Sequence, residues 1–276
     1  MVVSDPRPIA VYDSGVGGLT VARAILDLVP NEPLLYVGDT ARAPYGPRPV
    51  EQIKTFALEI AAYLLSRDVK ILVVACNSVE VSAIDEVTAH AGIPVLGVID
   101  PGVRAAVRVT RAGRIGVIGT EATIASGAYD RAAARAGVVT ELHVAACPAF
   151  VDHVERGDTS SGELLGLARA YLEPLRRAGI DTLILGCTHY PLLSGLIQYV
   201  MGDDVVLISS AEETAKDVYA TLLDGSLQRD AVGPPSHEFL STGDPAVFQA
   251  LAERFLGPEL TEVHPALAPV GSDPWS

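Results

Sequence analysis

Short, continuous apolar runs alternate with helix-period segments along almost the whole chain, and this restricts the fold more than any other feature. The runs are IAVYD (9–13), LLYVG (34–38), ILVVAC (71–76), PVLGV (94–98), RIGVIG (114–119), ELHVAAC (141–147), TLILGC (182–187) and VVLIS (205–209). Runs without polar alternation suit strands covered on both faces, as in a parallel sheet. Between them, Ile53, Phe56, Ala57, Ile60 and Leu64 fall on one stripe of a helix predicted over 51–66. Strands alternating with such helices predict a doubly wound α/β architecture.

An internal echo points to two such units. LVVACNS (72–78) and LILGCTH (183–189) each run an apolar strand into a Cys, a polar pair and a helical pattern. IAVYDSGVGG (9–18) and IGVIGTEAT (115–123) both pass from a strand through small polar residues into a helix. The two Cys segments lie about 110 residues apart, the length of a small domain. Two similar domains facing each other across a cleft are therefore expected, the first from 1–98 plus 211–262 and the second from 99–210. The segment 237–257 reads as a strand and a helix returning to the first domain. Residues 223–236 read as a loop and 263–276 as a flexible tail, both rich in Pro, Gly and polar residues.

Composition limits the partners. The 276 residues carry 20 Lys and Arg against 34 Asp and Glu, a formal charge of −14. That balance argues against nucleic-acid and anionic-membrane surfaces, which need a Lys/Arg excess, though not against a small anionic substrate. The N-terminus lacks a basic and then apolar leader pattern, and no run of 18 apolar residues is present, so no signal peptide or membrane span is expected. The three cysteines, Cys76, Cys147 and Cys187, form no C-x-x-C pair. An odd count fits a reducing cytoplasm, and the lack of such a pair makes a structural zinc site unexpected.

Cys76 and Cys187 both end apolar runs, where open α/β sheets bind ligands and the next helix presents free backbone N–H groups. Such a helix N-terminus lowers a thiol pKa from about 8.5 toward neutrality and attracts carboxylates. One thiol on each side of a bound carbon would remove a proton from one face and return it to the other, inverting a stereocentre. A single buried Cys more often serves as a small hydrophobe, and Cys147 in AACPAF is read that way. Asp13, before SGVGG, either begins a glycine turn or assists a thiol. The glycines miss both the dinucleotide and P-loop patterns. His189 makes C-x-H with Cys187, which suits two metal ligands or an acid/base group beside a thiol; no further Cys/His cluster supports the metal. In ARAPYGPRP, Tyr45 and Gly46 either offer a hydroxyl and a close backbone approach or form a Pro-set turn.

With DSGVGGLTV (13–21), YVGDTARAPYG (36–46), ACNS (75–78), IGVIGT (115–120) and LGCTHYPLL (185–193), the chain resembles the glutamate racemases over roughly residues 8–260. The resemblance implies two flavodoxin-like domains related by a pseudo-two-fold, with the active site in the cleft between them and no cofactor or metal. It further implies interconversion of L- and D-glutamate, supply of D-glutamate for peptidoglycan, and a tendency to form homodimers. By position, Cys76 is similar to the thiol that deprotonates D-glutamate and Cys187 to the one that deprotonates L-glutamate. Asp13 and His189 resemble their assisting groups, and Glu155 in FVDHVERG matches a further acidic position. Substrate contacts are implied at Asp13, Ser14, Tyr45, Gly46, Asn77, Ser78, Thr188 and His189.

One departure stands out. After Cys-Asn-Ser the family usually continues Ala-Ser/Thr-Ala, whereas this chain has Val79-Glu80-Val81. Glu80 either reaches back to an Asn77 cap as the third helical residue or points into the pocket and repels an anionic substrate. The second case would favour another substrate or a non-catalytic glutamate-binding protein.

Overall fold

The computed structural model describes residues 4–137, 141–230, 233–257, 260 and 262–266. In chain order the first half contains β1 (Ile9–Asp13), α1 (Leu19–Leu28), β2 (Leu34–Gly38), α2 (Val50–Leu65), β3 (Ile71–Val74), α3 (Asn77–Ala91), β4 (Val95–Leu96) and α4 (Ile99–Val109). There follow β5 (Arg114–Gly119), α5 (Glu121–Ala125), α6 (Ala128–Arg135), β6 (Glu141–Ala146), α7 (Ala149–Glu155), α8 (Gly162–Ala178), β7 (Thr182–Gly186) and α9 (Ser194–Met201). The chain continues through β8 (Val206–Ser209), α10 (Ser210–Asp224), β9 (His237–Ser241), α11 (Pro245–Leu256) and β10 (Val263–Pro265).

The described strands form two sheets, β10-β9-β2-β1-β3-β4 and β6-β5-β7-β8, with every pairing parallel. The sequence echo has a topological meaning. In each sheet the first strand of the repeat, β1 or β5, is flanked by the second on one side and the third on the other. The chain changes direction there, and a ligand crevice opens at the carboxyl ends of the strands. Cys76 follows β3 and Cys187 follows β7, so each thiol trails the third strand of its own repeat.

Both sheets are covered on both faces, which is why their strands carry uninterrupted apolar runs. Ile9, Val11, Ile71 and Val73 pack beneath α1, α10 and α11. Ala10, Tyr12, Leu72 and Val74 face α2 and α3 through Ile53, Ala57, Ile60 and Val79. The second sheet packs Leu183 and Leu185 against α8 and α9, and Val117 and Ile184 against α4 and α6. Cys147 is fully buried in the core under α8, as expected of a small hydrophobe. The helix predicted over 51–66 is α2, and the strand and helix predicted within 237–257 are β9 and α11. α10 lies against both α1 and α4, spanning the two layers.

One expectation is corrected. Residues 263–265, placed in a flexible tail, form β10, whose Val263 pairs with Phe239. Residues 267–276 of that tail lie outside the described residues. No described helix is long and apolar enough to cross a membrane.

Candidate active site

The carboxyl ends of the two sheets enclose a cavity of about 360 Å³ that both Cys76 and Cys187 line. Ser14, Tyr45, Gly46, Asn77, Ser78, Glu155, Thr188 and His189 also line it. Asp13 ends β1 fully buried beneath this wall. Its Oδ2 accepts the Gly15 N–H at 2.8 Å, and its Oδ1 accepts the Thr188 hydroxyl at 3.3 Å. One residue of the first sheet thus braces the strand end carrying the second thiol. Gly17 permits the approach, since a Cβ there would fall 2.4 Å from Thr188 Oγ1 and 2.6 Å from His189 Nδ1.

The two thiols differ in their surroundings. Cys76 is the N-cap of α3, and its Sγ donates to Ser14 Oγ at 3.4 Å. The helix N-terminus was expected to lower its pKa, but burial together with the nearby Asp13 charge pushes it up to about 12. Desolvation penalises the thiolate more than the Val79 N–H and the Ser14 hydroxyl favour it. Cys187 Sγ instead lies 3.8 Å from His189 Nδ1, whose Nε2 lies 3.3 Å from Glu155 Oε1. Burial alone would lower the His189 pKa, yet bonding to the Cys187 sulfur and the Glu155 carboxylate raises it to about 10. The ring therefore holds its proton through the neutral range. Asp13 is also shifted upward by burial, which outweighs the His189 charge and the N–H groups of Gly15 and Gly18.

Glu80 does neither of the things expected of it. It does not reach back to Asn77, and it is absent from the cavity wall. Its buried carboxylate accepts the Val98 N–H at 2.6 Å and the Ile99 N–H at 3.1 Å, capping the start of α4. Gly97 makes room for it, because a Cβ there would lie 2.3 Å from Glu80 Oε1. Burial pushes the Glu80 pKa up from 4.5 to about 7, against the pull of those two N–H groups. As pH rises from 4.5 to 7 the unfolded chain releases this proton before the folded one, so stability falls across that window and levels off above it. The displacement corresponds to roughly 3 kcal/mol. Glu80→Gln, which buries no charge, is expected to melt with the wild type below pH 5 and several degrees above it at pH 8. Parallel melting curves from pH 4 to 8 would show that Glu80 does not titrate in this window.

Tyr45 lines the cavity with its hydroxyl engaged in a buried network. The hydroxyl donates to the buried Asp39 and lies 3.1 Å from the Tyr12 hydroxyl. Asp39 further accepts Arg42 Nε at 2.6 Å and the Thr242 hydroxyl at 2.6 Å. This network anchors residues 43–47, which line one side of the cavity. Gly46 comes close to the opposite half, where its missing Cβ would lie 3.1 Å from Thr120.

Sequence reasoning did not single out Thr120, Glu121, Val151, Asp152 or Tyr171, which also line the cavity. Thr120 had a signal, since it follows β5 as Ser14 follows β1; the others had none. Ser78 Oγ lies 3.0 Å from Thr120 Oγ1, linking the two halves. No Lys or Arg lines the cavity among the described residues, so an anionic ligand must be held by N–H and O–H donors and by the His189 ring. No described cluster of three or more His, Cys, Asp and Glu side chains is arranged to hold a metal ion.

The profile of the family described as Asp/Glu/Hydantoin racemase matches residues 18–218. A glutamate racemase of Parafrankia sp. is 59% identical over 266 residues, 95% of this chain and 96% of the relative. That of Mycobacterium tuberculosis is 56% identical, covering 94% and 95% of the two chains. Among solved structures, a Bacillus anthracis glutamate racemase superposes with a TM-score of 0.90 at 41% identity, over 96% of this chain and 98% of that one. A Francisella tularensis glutamate racemase in complex with D-glutamate gives 0.89 at 35% identity, over 95% and 98%. The paired thiols, the shared cleft and these likenesses agree: the chain belongs to the glutamate racemase family, within the Asp/Glu/hydantoin racemases.

Proposed function

We propose that the chain interconverts L- and D-glutamate by two proton transfers, one thiol removing the α-proton from one face and the other delivering a proton to the opposite face. The observation that carries it is the pair of thiols, each trailing the third strand of its own sheet, lining one cavity. In the L-to-D direction the Cys187 sulfur takes the α-proton, and the electron pair passes into the α-carboxylate as an enolate. The Cys76 thiol, held protonated by burial and Asp13, then donates its proton to the carbon, and the pair returns to form the new C–H bond. His189 keeps its proton and balances the charge at Cys187, with Glu155 orienting the ring. Backbone N–H groups at the start of α3, with Ser78 and Thr188, are suited to hold the carboxylates and the charge developing on them.

The scheme needs no cofactor, since both proton transfers are supplied by side chains. The same proposal includes the division into 1–98 plus 211–262 and 99–210, supported by Ala211, Ala215, Val218 and Leu222 packing in the core of the first sheet. It also includes a cytoplasmic homodimer making D-glutamate for peptidoglycan, on the strength of the family resemblance. Because Glu80 caps α4, the feature that favoured a non-catalytic binding protein no longer does so. Incubation with each enantiomer in D₂O, without added cofactor, tests the reading by proton NMR and chiral separation. Loss of the α-proton with inversion from both enantiomers is expected; folded protein that exchanges neither would overturn it.

A further inference from the structure

Asn77 lines the cavity and is almost fully buried, and the two polar atoms of its side chain are treated differently. Oδ1 accepts the Tyr129 hydroxyl at 2.8 Å, whereas Nδ2 is buried with no hydrogen-bond partner among the described residues. An orphaned buried donor is costly unless something supplies an acceptor. Tyr129 comes from α6, in the other half of the molecule, and its ring is fixed in the core beside Val117, Ala132 and Ile184. Gly186, which precedes Cys187, leaves room for it, because a Cβ there would lie 2.8 Å from the Tyr129 hydroxyl. A primary amide can turn over and present either its oxygen or its NH₂ group. Turned the other way, Asn77 would put its carbonyl oxygen where Nδ2 now lies and leave the buried Tyr129 proton without an acceptor. The observed hydrogen bond removes that choice.

We infer that Tyr129 is a positioning residue for glutamate recognition: its hydroxyl holds the Asn77 amide with the NH₂ group facing the cavity, where it donates to a substrate carboxylate. The inference rests on the racemase function proposed above and adds a cross-cleft contribution to it. It matters here because no Lys or Arg among the described residues lines the cavity, so every neutral donor must arrive already oriented.

Tyr129→Phe keeps the ring and removes only the hydroxyl. Expected is a five- to tenfold rise in KM for both enantiomers, with kcat changed less than threefold and the pH profile of kcat unmoved. D-Glutamate binding, followed by calorimetry, weakens by the same factor. In an Asn77→Ala background the second substitution adds nothing, because the group being oriented has gone. A purely structural tyrosine would instead lower the melting temperature and worsen the Asn77→Ala protein further, and that additivity would overturn the inference. A displaced pH profile would overturn it too, by placing the hydroxyl's influence on a thiol. Wild-type protein that binds glutamate while Tyr129→Phe binds it equally well rejects the inference and leaves the racemase proposal standing. Wild-type protein that binds neither enantiomer rejects both.

Discussion

Replacing Cys76 or Cys187 with Ala is expected to lower racemisation at least 10³-fold in both directions, within the range that positioned acid–base groups contribute. The loss must be equal from either side. Enantiomers have equal free energies, so the two values of kcat/KM stay equal in every variant, and the difference between the thiols shows only in partial reactions. Cys76→Ala retains Cys187 beside the His189 ring and should exchange the α-proton of one enantiomer without inverting it. Cys187→Ala retains only Cys76. Its exchange, confined to the other enantiomer, should climb roughly tenfold per pH unit through the neutral range, because a thiol with a pKa of about 12 is far from ionised there. Deuterium incorporation tests the exchange by each variant, and its course from about pH 6 to 10 tests the profile of Cys187→Ala. Inversion by either variant at the wild-type rate would end the two-thiol scheme.

The largest effect on stability is expected far from the chemistry. Lys70, just before β3, is completely buried, and its ammonium donates to Glu32 at 2.5 Å and to the carbonyls of Asp5 and Leu227 at 2.8 Å each. Glu32 in turn accepts the Arg229 N–H at 2.9 Å. This one side chain joins the N-terminal segment, the turn before β2 and the chain leaving α10, at the end of the sheet opposite the cavity. Lys70→Met strands the Glu32 carboxylate and should cost about 3–5 kcal/mol. Melting should fall by roughly 6–20 °C, at 2–4 °C per kcal/mol for a chain of this size. Adding Glu32→Leu should recover part of the loss, since the uncompensated charge goes with it. Turnover per folded molecule should not change. A double variant that melts below the single one would show that the uncompensated charge is not what destabilises it.

Most of the architecture was legible because burial on both faces writes itself into composition. Ile9–Asp13, Leu34–Gly38 and Arg114–Gly119 are strands at the bounds the apolar runs predicted. β10 was not legible: Val263-His264-Pro265 offers one buried residue and a proline tolerated only at a sheet edge, so pairing with β9 decides it. At the site, the motifs located the cavity wall but not the state of its groups. For Cys76 only the adjoining helix is visible in sequence, whereas the desolvation and the Asp13 charge that dominate are tertiary. Glu80 finds its partners at Val98 and Ile99, beyond the rest of α3 and the whole of β4. Tyr129 carries no motif and meets Asn77 only because two sheets face each other.

The order of the first sheet has a consequence for how the chain comes off the ribosome. β2 hydrogen-bonds on one side to β1, its near neighbour in sequence, and on the other to β9, where Leu34 is in register with His237. The far partner is thus translated some 200 residues later, a delay of roughly 10–40 s at 5–20 residues per second. Throughout that interval the nascent first half carries an unpaired edge of apolar strand, the kind of surface that recruits other chains. The contiguous second sheet emerges complete during the same interval. Co-translational aggregation should therefore centre on β2, and a chain truncated before His237 should be far less soluble than the full chain, although it already carries every residue proposed for the chemistry.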